Sequence, residues 1–164
     1  RAVATAQVDD RPIAITGSDD NTVRVWDLTT GQPISEPLIG HTRGVRAVAT
    51  AQVDDRPIAI TGSDDNTVRV WDLTTGRTTA TLTGHTGAVL TVATAQVDDR
   101  PIAITGSDDN TVRVWDLAAA SCLTAVHLPN SPGCATIGPD STAVLGMGYE
   151  VIALTLAPIF RRES

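Results

Sequence analysis

Aromatic residues are scarce in this sequence, at 3% of 164 positions. A core rich in stacked rings is excluded, so the three tryptophans, Trp26, Trp71 and Trp115, must matter to whatever interior exists. Basic charge is also short: 12 Lys and Arg stand against 19 Asp and Glu, giving a net charge of −7. A nucleic-acid partner held through phosphates needs a basic stripe, which this balance denies, and an anionic membrane surface would repel the chain. Two cysteines, Cys122 and Cys134, are too few and too far apart for a metal site. A disulfide between them stays open, and a pair of reduced, buried thiols is the expectation.

Long hydrophobic runs are missing too. Leu117–Pro139 carries no charge, but His127, Pro129, Asn130 and Pro132 interrupt it, so it is no membrane span. No secretory h-region follows Arg1, and the expected location is the cytoplasm. The chain has no initiator Met and opens inside a repeat, which reads as a piece of a longer protein. What remains is a 41% hydrophobic chain of neutral mean hydropathy. Its length suits one ordinary domain that buries roughly 70% of its unfolded-chain surface.

What the sequence has in abundance is itself. The stretch GSDDNTVRVWDL occurs three times, at Gly17–Leu28, Gly62–Leu73 and Gly106–Leu117. Arg1–Gly31 is identical to Arg46–Gly76, and Val92–Leu117 to Val48–Leu73. The tryptophans set the period, 45 residues from Trp26 to Trp71 and 44 from Trp71 to Trp115. Such self-similarity marks a stacked array of structural units.

Each unit reads as four short strands. Ala47–Gln52 is made of small and β-branched residues, and Pro57–Ser63 and Thr67–Leu73 are β-branched runs. A fourth, more polar run follows at Pro33–Ile39 or Thr78–Thr83. Asp54-Asp55-Arg56-Pro57, Asp64-Asp65-Asn66 and Thr74-Thr75-Gly76 supply the turns between them. Leu117–Leu123 is the one helical competitor and is too short to stand alone. Sheets arranged radially about an axis would crowd the first strand, which holds Ala, Thr and Val. They would leave the last strand wet, where Ser35 and Glu36 stand. Sheets packed on both faces also explain the near-continuous apolar runs IAIT and VRVW.

Leu38-Ile39-Gly40-His41 followed by Ile60-Thr61-Gly62-Ser63-Asp64-Asp65-Asn66-Thr67-Val68-Arg69-Val70-Trp71-Asp72 resembles the WD40 repeat, with its Gly-His and Trp-Asp marks. A second match runs from Gly84-His85 to Trp115-Asp116, and the His-to-Trp spacing is 30 residues in both. The sameness of the copies is similar to the amplified repeats of bacterial, especially actinobacterial, members. The resemblance implies an all-β propeller segment of about 3.75 four-stranded blades, closed only with a partner chain or with upstream blades. The expected limits are blade 1 at 1–45, blade 2 at 46–89, blade 3 at 90–131, a partial blade 4 at 132–158 and a tail at 159–164. The family closes its ring by borrowing a strand from the other terminus, which places that strand upstream of Arg1.

The resemblance also implies a hydrogen-bonded tetrad in each blade. His41, Thr61, Asp65 and Trp71 form one, and His85, Thr105, Asp109 and Trp115 the next. A hairpin centred near Asn66 would set Thr61 opposite Trp71. The first blade offers Thr16, Asp20 and Trp26 without a preceding Gly-His. The last unit, Cys134–Leu156, keeps the strand rhythm but loses the tetrad: Gly146 survives, with Met147 near the Ser position and Leu154 near the Trp position. His127 is out of register and reads as a strand or turn residue.

Asp19-Asp20, Asp64-Asp65 and Asp108-Asp109 offer oxygens to calcium, but the ligand spacing and bidentate Glu of an EF-hand-like loop are absent. Turn capping and tetrad membership account for them. Asp9-Asp10, Asp54-Asp55 and Asp98-Asp99 read as solvated turn residues that discourage edge association. A His, Ser and Asp recur in every unit, which suits architecture better than one hydrolase site, and no G-x-S-x-G elbow appears. No catalytic residue, metal or cofactor is expected.

The function expected is a non-catalytic protein-interaction scaffold that presents a polar, acidic loop ring to a protein or peptide. Its candidate contacts are Thr42, Arg43, Arg46, Thr86, Asp19, Asp64 and Asp108. Two other readings stay open: a half-propeller that pairs with its own copy into an eight-bladed ring, and a regulatory domain of a larger bacterial signalling enzyme.

Overall fold

The computed structural model describes residues 1–138 and 140–156. The expected end of blade 4 at Pro158 and the tail with Arg161, Arg162 and Glu163 lie outside the described residues. Among the described residues, fourteen strands form four antiparallel sheets. The first holds β1 (Ala2–Val8), β2 (Arg11–Gly17) and β3 (Val23–Asp27). The second holds β4 (Val45–Val53), β5 (Arg56–Ser63), β6 (Val68–Asp72) and β7 (Arg77–Leu82). The third holds β8 (Val89–Val97), β9 (Arg100–Ser107), β10 (Thr111–Asp116) and β11 (Ser121–His127). The fourth holds β12 (Cys134–Ile137), β13 (Thr142–Met147) and β14 (Glu150–Thr155). Strands within each sheet follow chain order, as in a propeller blade.

The turns explain the aspartate pairs. Val8↔Arg11, Val53↔Arg56 and Val97↔Arg100 close two-residue hairpins, so both central residues must take left-handed backbone. Asp9 and Asp10 do so at φ 49° and 60°, and the later pairs repeat these angles within a degree. Asp is among the few residues that adopt this conformation at small cost. Asn21, Asn66 and Asn110 serve the next turn in the same way, at φ 72°, 69° and 60°. The Asp of each Trp-Asp pair caps the third turn: Asp72 Oδ1 accepts from the amides of Thr74 and Thr75 at 2.9 and 2.8 Å.

The sheets stack with their first strands side by side, β1 against β4, β4 against β8 and β8 against β12. Threonine hydroxyls tie those strands together. Thr50 Oγ1 donates to the Thr5 carbonyl at 3.1 Å, and Thr94 Oγ1 to the Thr50 carbonyl at 2.7 Å. The core is split into three parts, each sandwiched between neighbouring sheets. Ile13, Ile15, Val23, Val25 and Leu38 of the first sheet region meet Ala59 and Trp71 of the second. Ile60 and Val70 meet Ala103 and Trp115, and Ile104 and Val114 meet Leu145 and Met147.

Three expectations need correction. Thr61 does not lie opposite Trp71: Gly62 pairs with Val68, the hairpin is centred on Asp65, and Thr61 faces Arg69 while Trp71 faces Ala59. The indole reaches Thr61 along the diagonal, a span that a long aromatic covers on one face of a sheet. Pro33–Ile39 is not a continuous strand. It touches β3 only through the bridges Trp26↔Pro33 and Val23↔Leu38, because Pro33 and Pro37 have no N–H to give a ladder. The thiols are not buried either. Cys122 and Cys134 are both free and exposed, Cys122 on the outermost strand of its sheet and Cys134 on a strand of the last.

Close sheet packing leaves no room for a side chain at Gly17, Gly62 or Gly106. A Cβ on Gly62 would stand 2.6 Å from Val89 Cγ1 and 3.1 Å from the Val89 carbonyl oxygen, whereas one on Gly133 would meet nothing within 4 Å. Gly62→Ala is expected to cost about 1–3 kcal/mol through overpacking, and Gly133→Ala close to nothing. Urea unfolding midpoints of the two variants check this.

Candidate functional site

At one end of the stack, the loops before the first strands meet the turns between second and third strands. Gly40 and His41 end the link from the first sheet to the second, and the imidazole drops into the interface. His41 Nδ1 lies 2.9 Å from Asp65 Oδ2, and Nε2 lies 2.8 Å from Thr61 Oγ1. Trp71 Nε1–H donates to the same Thr61 oxygen at 2.8 Å. The carboxylate accepts only, so Nδ1 carries the proton, Nε2 accepts from the Thr61 hydroxyl, and the hydroxyl accepts from the indole. The next interface repeats this with His85, Asp109, Thr105 and Trp115 at 3.0, 2.8 and 2.8 Å. Thr61 and Thr105 are wholly buried, and the imidazoles and indoles nearly so.

Each aspartate of the network is saturated. Asp65 Oδ1 accepts from the Thr67 amide and hydroxyl at 3.0 and 2.6 Å, and Oδ2 from His41 and the Thr42 amide. Burial raises the Asp65 pKa, but the Thr67 hydroxyl, the Thr42 amide and the His41 ring outweigh it and hold the carboxyl at about 2. Asp109 is held below the usual range by the corresponding donors, again against its burial. His41 and His85 move down from 6.5 because burial disfavours the imidazolium, which outweighs the neighbouring carboxylate. With no lone pair to spare, these aspartates are poor cation ligands. Among the described residues no group of three His, Cys, Asp or Glu is placed to hold a metal. Ser63, the serine beside the network, is buried and donates to the Arg43 carbonyl at 3.0 Å.

The first sheet holds only half a network. Trp26 Nε1 donates to Thr16 Oγ1 at 2.9 Å, and Asp20 accepts from Thr22, but no imidazole stands between them. In the last sheet Ala143 faces Leu154 as Ala59 faces Trp71, so leucine replaces the indole.

The loop candidates gather around Arg46. It is the extra residue of a bulge in β4, which turns its side chain toward the loops. Its guanidinium bonds Asp64 at 2.6–2.9 Å and reaches Asp19 of the neighbouring sheet at 3.4 Å. Arg1 lies 3.7 Å from Asp19 on its other side. In β8 the bulge residue is Leu90, so Asp108 has no such arginine and accepts from Ser131 Oγ at 3.0 Å. Asn21 Nδ2 donates to the Thr42 carbonyl at 3.4 Å and Asn66 Nδ2 to the Thr86 carbonyl at 3.3 Å, which ties each turn to the next loop. Thr42, Arg43 and Thr86 are exposed on this rim. Sequence reasoning named these residues but missed the bulge and the two asparagine ties.

A family model described as WD domain, G-beta repeat matches residues 3–27, 31–72 and 76–116. The chain belongs to the WD40 repeat family. No curated protein matches it. WD40 repeats generally serve as scaffolds for protein–protein contact. Among the described residues no helix is long and apolar enough to cross a membrane. One departure from repeat symmetry lies away from the loop rim of this WD40 segment. The bowed Pro33–Pro37 stretch opens a cleft of about 650 Å³ over Ile13, Val25 and Leu38, against about 190 Å³ at the corresponding place between the second and third sheets.

Thr61→Val is expected to destabilise the chain by about 2–4 kcal/mol, because it strands a buried indole N–H and a buried imidazole nitrogen. Thr16→Val, on a half-buried network without an imidazole, should cost well under half of that. Paired urea titrations measure the difference. Stability should be complete above pH 6.5, because the buried histidines bind fewer protons than they do in the unfolded chain. It should fall as the pH drops below 6.5 and fall again from 3.8 towards 2 as Asp65 and Asp109 are protonated. Urea midpoints recorded from pH 7.5 to 2 follow both stages.

Proposed function

We propose that this WD40 segment is a non-catalytic scaffold that binds a basic or hydrogen-bonding peptide segment of a partner protein on its loop rim. The observation that carries this reading is the chain Arg1–Asp19–Arg46–Asp64, which links two sheets across their interface. Flexible surface ion pairs are worth little one at a time. Here, together with the Asn21 and Asn66 ties, they fix loops from neighbouring blades relative to one another. A fixed rim binds at a smaller ordering cost than mobile loops do.

The rim chemistry supports a partner of complementary charge. Asp108 lacks the arginine that neutralises Asp64, and Asp19 and Asp108 are exposed. Thr42, Arg43 and Thr86 supply hydroxyls and one cation beside them. The buried His41 and His85 networks hold this surface up and take no direct part in it. The repeats resemble bacterial ones, and that kinship suits a scaffold within a larger signalling protein.

An arrayed library of short peptides tests the reading. Peptides rich in Lys and Arg should bind, more weakly as salt rises. Asp108→Arg should abolish that binding, while Asp98→Arg, at the opposite end of the sheets, should leave it intact. Binding that ignores Asp108, or responds equally to Asp98, would sink the assignment to this rim.

A further inference from the structure

The first two units are identical up to Gly31 and Gly76 and then part company. The link from Gly31 to His41 runs one residue longer than that from Gly76 to His85, and it carries Pro33 and Pro37. The resulting bow leaves a backbone group stranded. Both polar groups of a strand residue point to the same edge, so Val23, Val25 and Asp27 present theirs to the bowed stretch. Val23 N–H donates to Leu38 at 3.2 Å and Asp27 N–H to Gln32 at 2.9 Å. Val25 C=O accepts from Ile34 at 2.9 Å, but its N–H meets no acceptor among the described residues. The equivalent Val70 is paired with Ala80 of β7. Val25 is 6% exposed, and a buried donor without a partner is costly.

That residue lines the cleft of about 650 Å³ between the first and second sheets. The walls are aliphatic: Val8, Ile13, Val25, Ile34 and Leu38 face the Leu73–Gly76 turn, and no aromatic ring is among them. A flat conjugated ligand would find nothing to stack on, whereas a branched aliphatic side chain would be enclosed. Ile34 is 43% exposed, so the cleft is open to solvent beside it.

Charge describes the occupant further. Gln32 stands where the second unit has Arg77, and Glu36, next to Ser35 of the lining, has no acidic counterpart there. The outer end is therefore two charge units more negative than its copy, and Glu36 is exposed. At the other end Asp9 and Arg11 carry opposite charges and offset each other.

We propose that this cleft is a docking site for an extended segment of a partner protein. The segment lodges a Leu or Ile side chain over Ile13 and Leu38, gives one backbone carbonyl to the Val25 N–H and sets a Lys or Arg beside Glu36. Main-chain bonding to a strand edge, with a pocket that selects a neighbouring side chain, is a general mode of peptide recognition. The cleft adjoins the Asp9-Asp10 hairpin, at the end of the sheets opposite the loop rim around Arg46. The two assignments therefore stand or fall independently.

The test uses the 164-residue chain labelled with 15N and, as probe, the acetylated, amidated pentapeptide Ser-Lys-Leu-Thr-Ser. The Val25 amide resonance should move downfield and saturate at millimolar peptide, with the Val70 amide unmoved. The peptide Ser-Lys-Ser-Thr-Ser should leave Val25 unmoved, and Ser-Glu-Leu-Thr-Ser should bind roughly fivefold more weakly or worse. A variant with residues 32–39 replaced by the sequence of residues 77–83 should lose binding, because its outer stretch can pair with Val25 as β7 pairs with Val70. Unchanged Trp71 and Trp115 indole resonances verify that this variant is folded. Asp108→Arg, on the rim, should leave binding intact.

No shift at millimolar peptide, equal shifts from the leucine and serine peptides, or binding lost in Asp108→Arg would overturn the proposal. Binding kept by the exchanged variant would do the same. Octanoate that moves Val25 as strongly as the leucine peptide would assign the cleft to a free acyl chain instead. A Val25 shift that grows with the concentration of the chain alone would assign it to a second copy, and either result overturns the partner segment.

Discussion

The Thr61 hydroxyl accepts a hydrogen bond from an indole and donates its own to an imidazole, and the contacts between the first and second sheets and between the second and third are arranged around that relay and its copy at Thr105. The relay joins three pieces of chain that sequence keeps apart: the entering loop, the second strand and the third strand. Each polar atom in it has a partner, so a buried tryptophan, threonine and histidine can lie in an otherwise apolar interface without the penalty of unpaired groups. Because only a neutral imidazole completes the pattern, the interface depends on a proton count as well as on shape.

Around that relay the repeat divides its labour. Ile, Val and Ala positions fill the three sandwiched cores, the Asp pairs and Asn residues make left-handed turns, and Thr5, Thr50 and Thr94 lace the first strands. Symmetry breaks at a few places. Arg46 becomes Leu90, the outer stretch of the first unit gains a residue and two prolines, and the last sheet exchanges its indole for Leu154. The second and third strands of the first three sheets hardly vary, and most of the variation lies in the loops, the outer strands and the last sheet.

The architecture was legible because period, turn residues and strand chemistry agree at every copy. The network partners were legible only through the family resemblance, since spacing alone does not say which His meets which Asp. The register was misjudged by one residue at the turn, which placed Thr61 opposite Trp71. A five-residue loop centred on Asp65 and one centred on Asn66 look alike in sequence. The bulge at Arg46 left no mark either, because an extra residue in one strand is visible only against its partner. Cys122 and Cys134 were expected inside on the strength of residue type, but their exposure is set by the strands they occupy, which type does not reveal. Pro33 and Pro37 carried a readable warning that the fourth strand would be broken, since neither can donate to a ladder.

The threonine lacing has a direction. Each hydroxyl gives its hydrogen to the carbonyl of the blade before it, so Thr94 leans on Thr50 and Thr50 on Thr5, and the bonds never run the other way. The stack therefore has a head and a tail at its axis as well as in its chain order. A blade offered upside down would lose this match of hydroxyl to carbonyl. Copies that are identical in sequence thus remain distinguishable in orientation, and duplication of a repeat can lengthen the array without licensing an inverted joint.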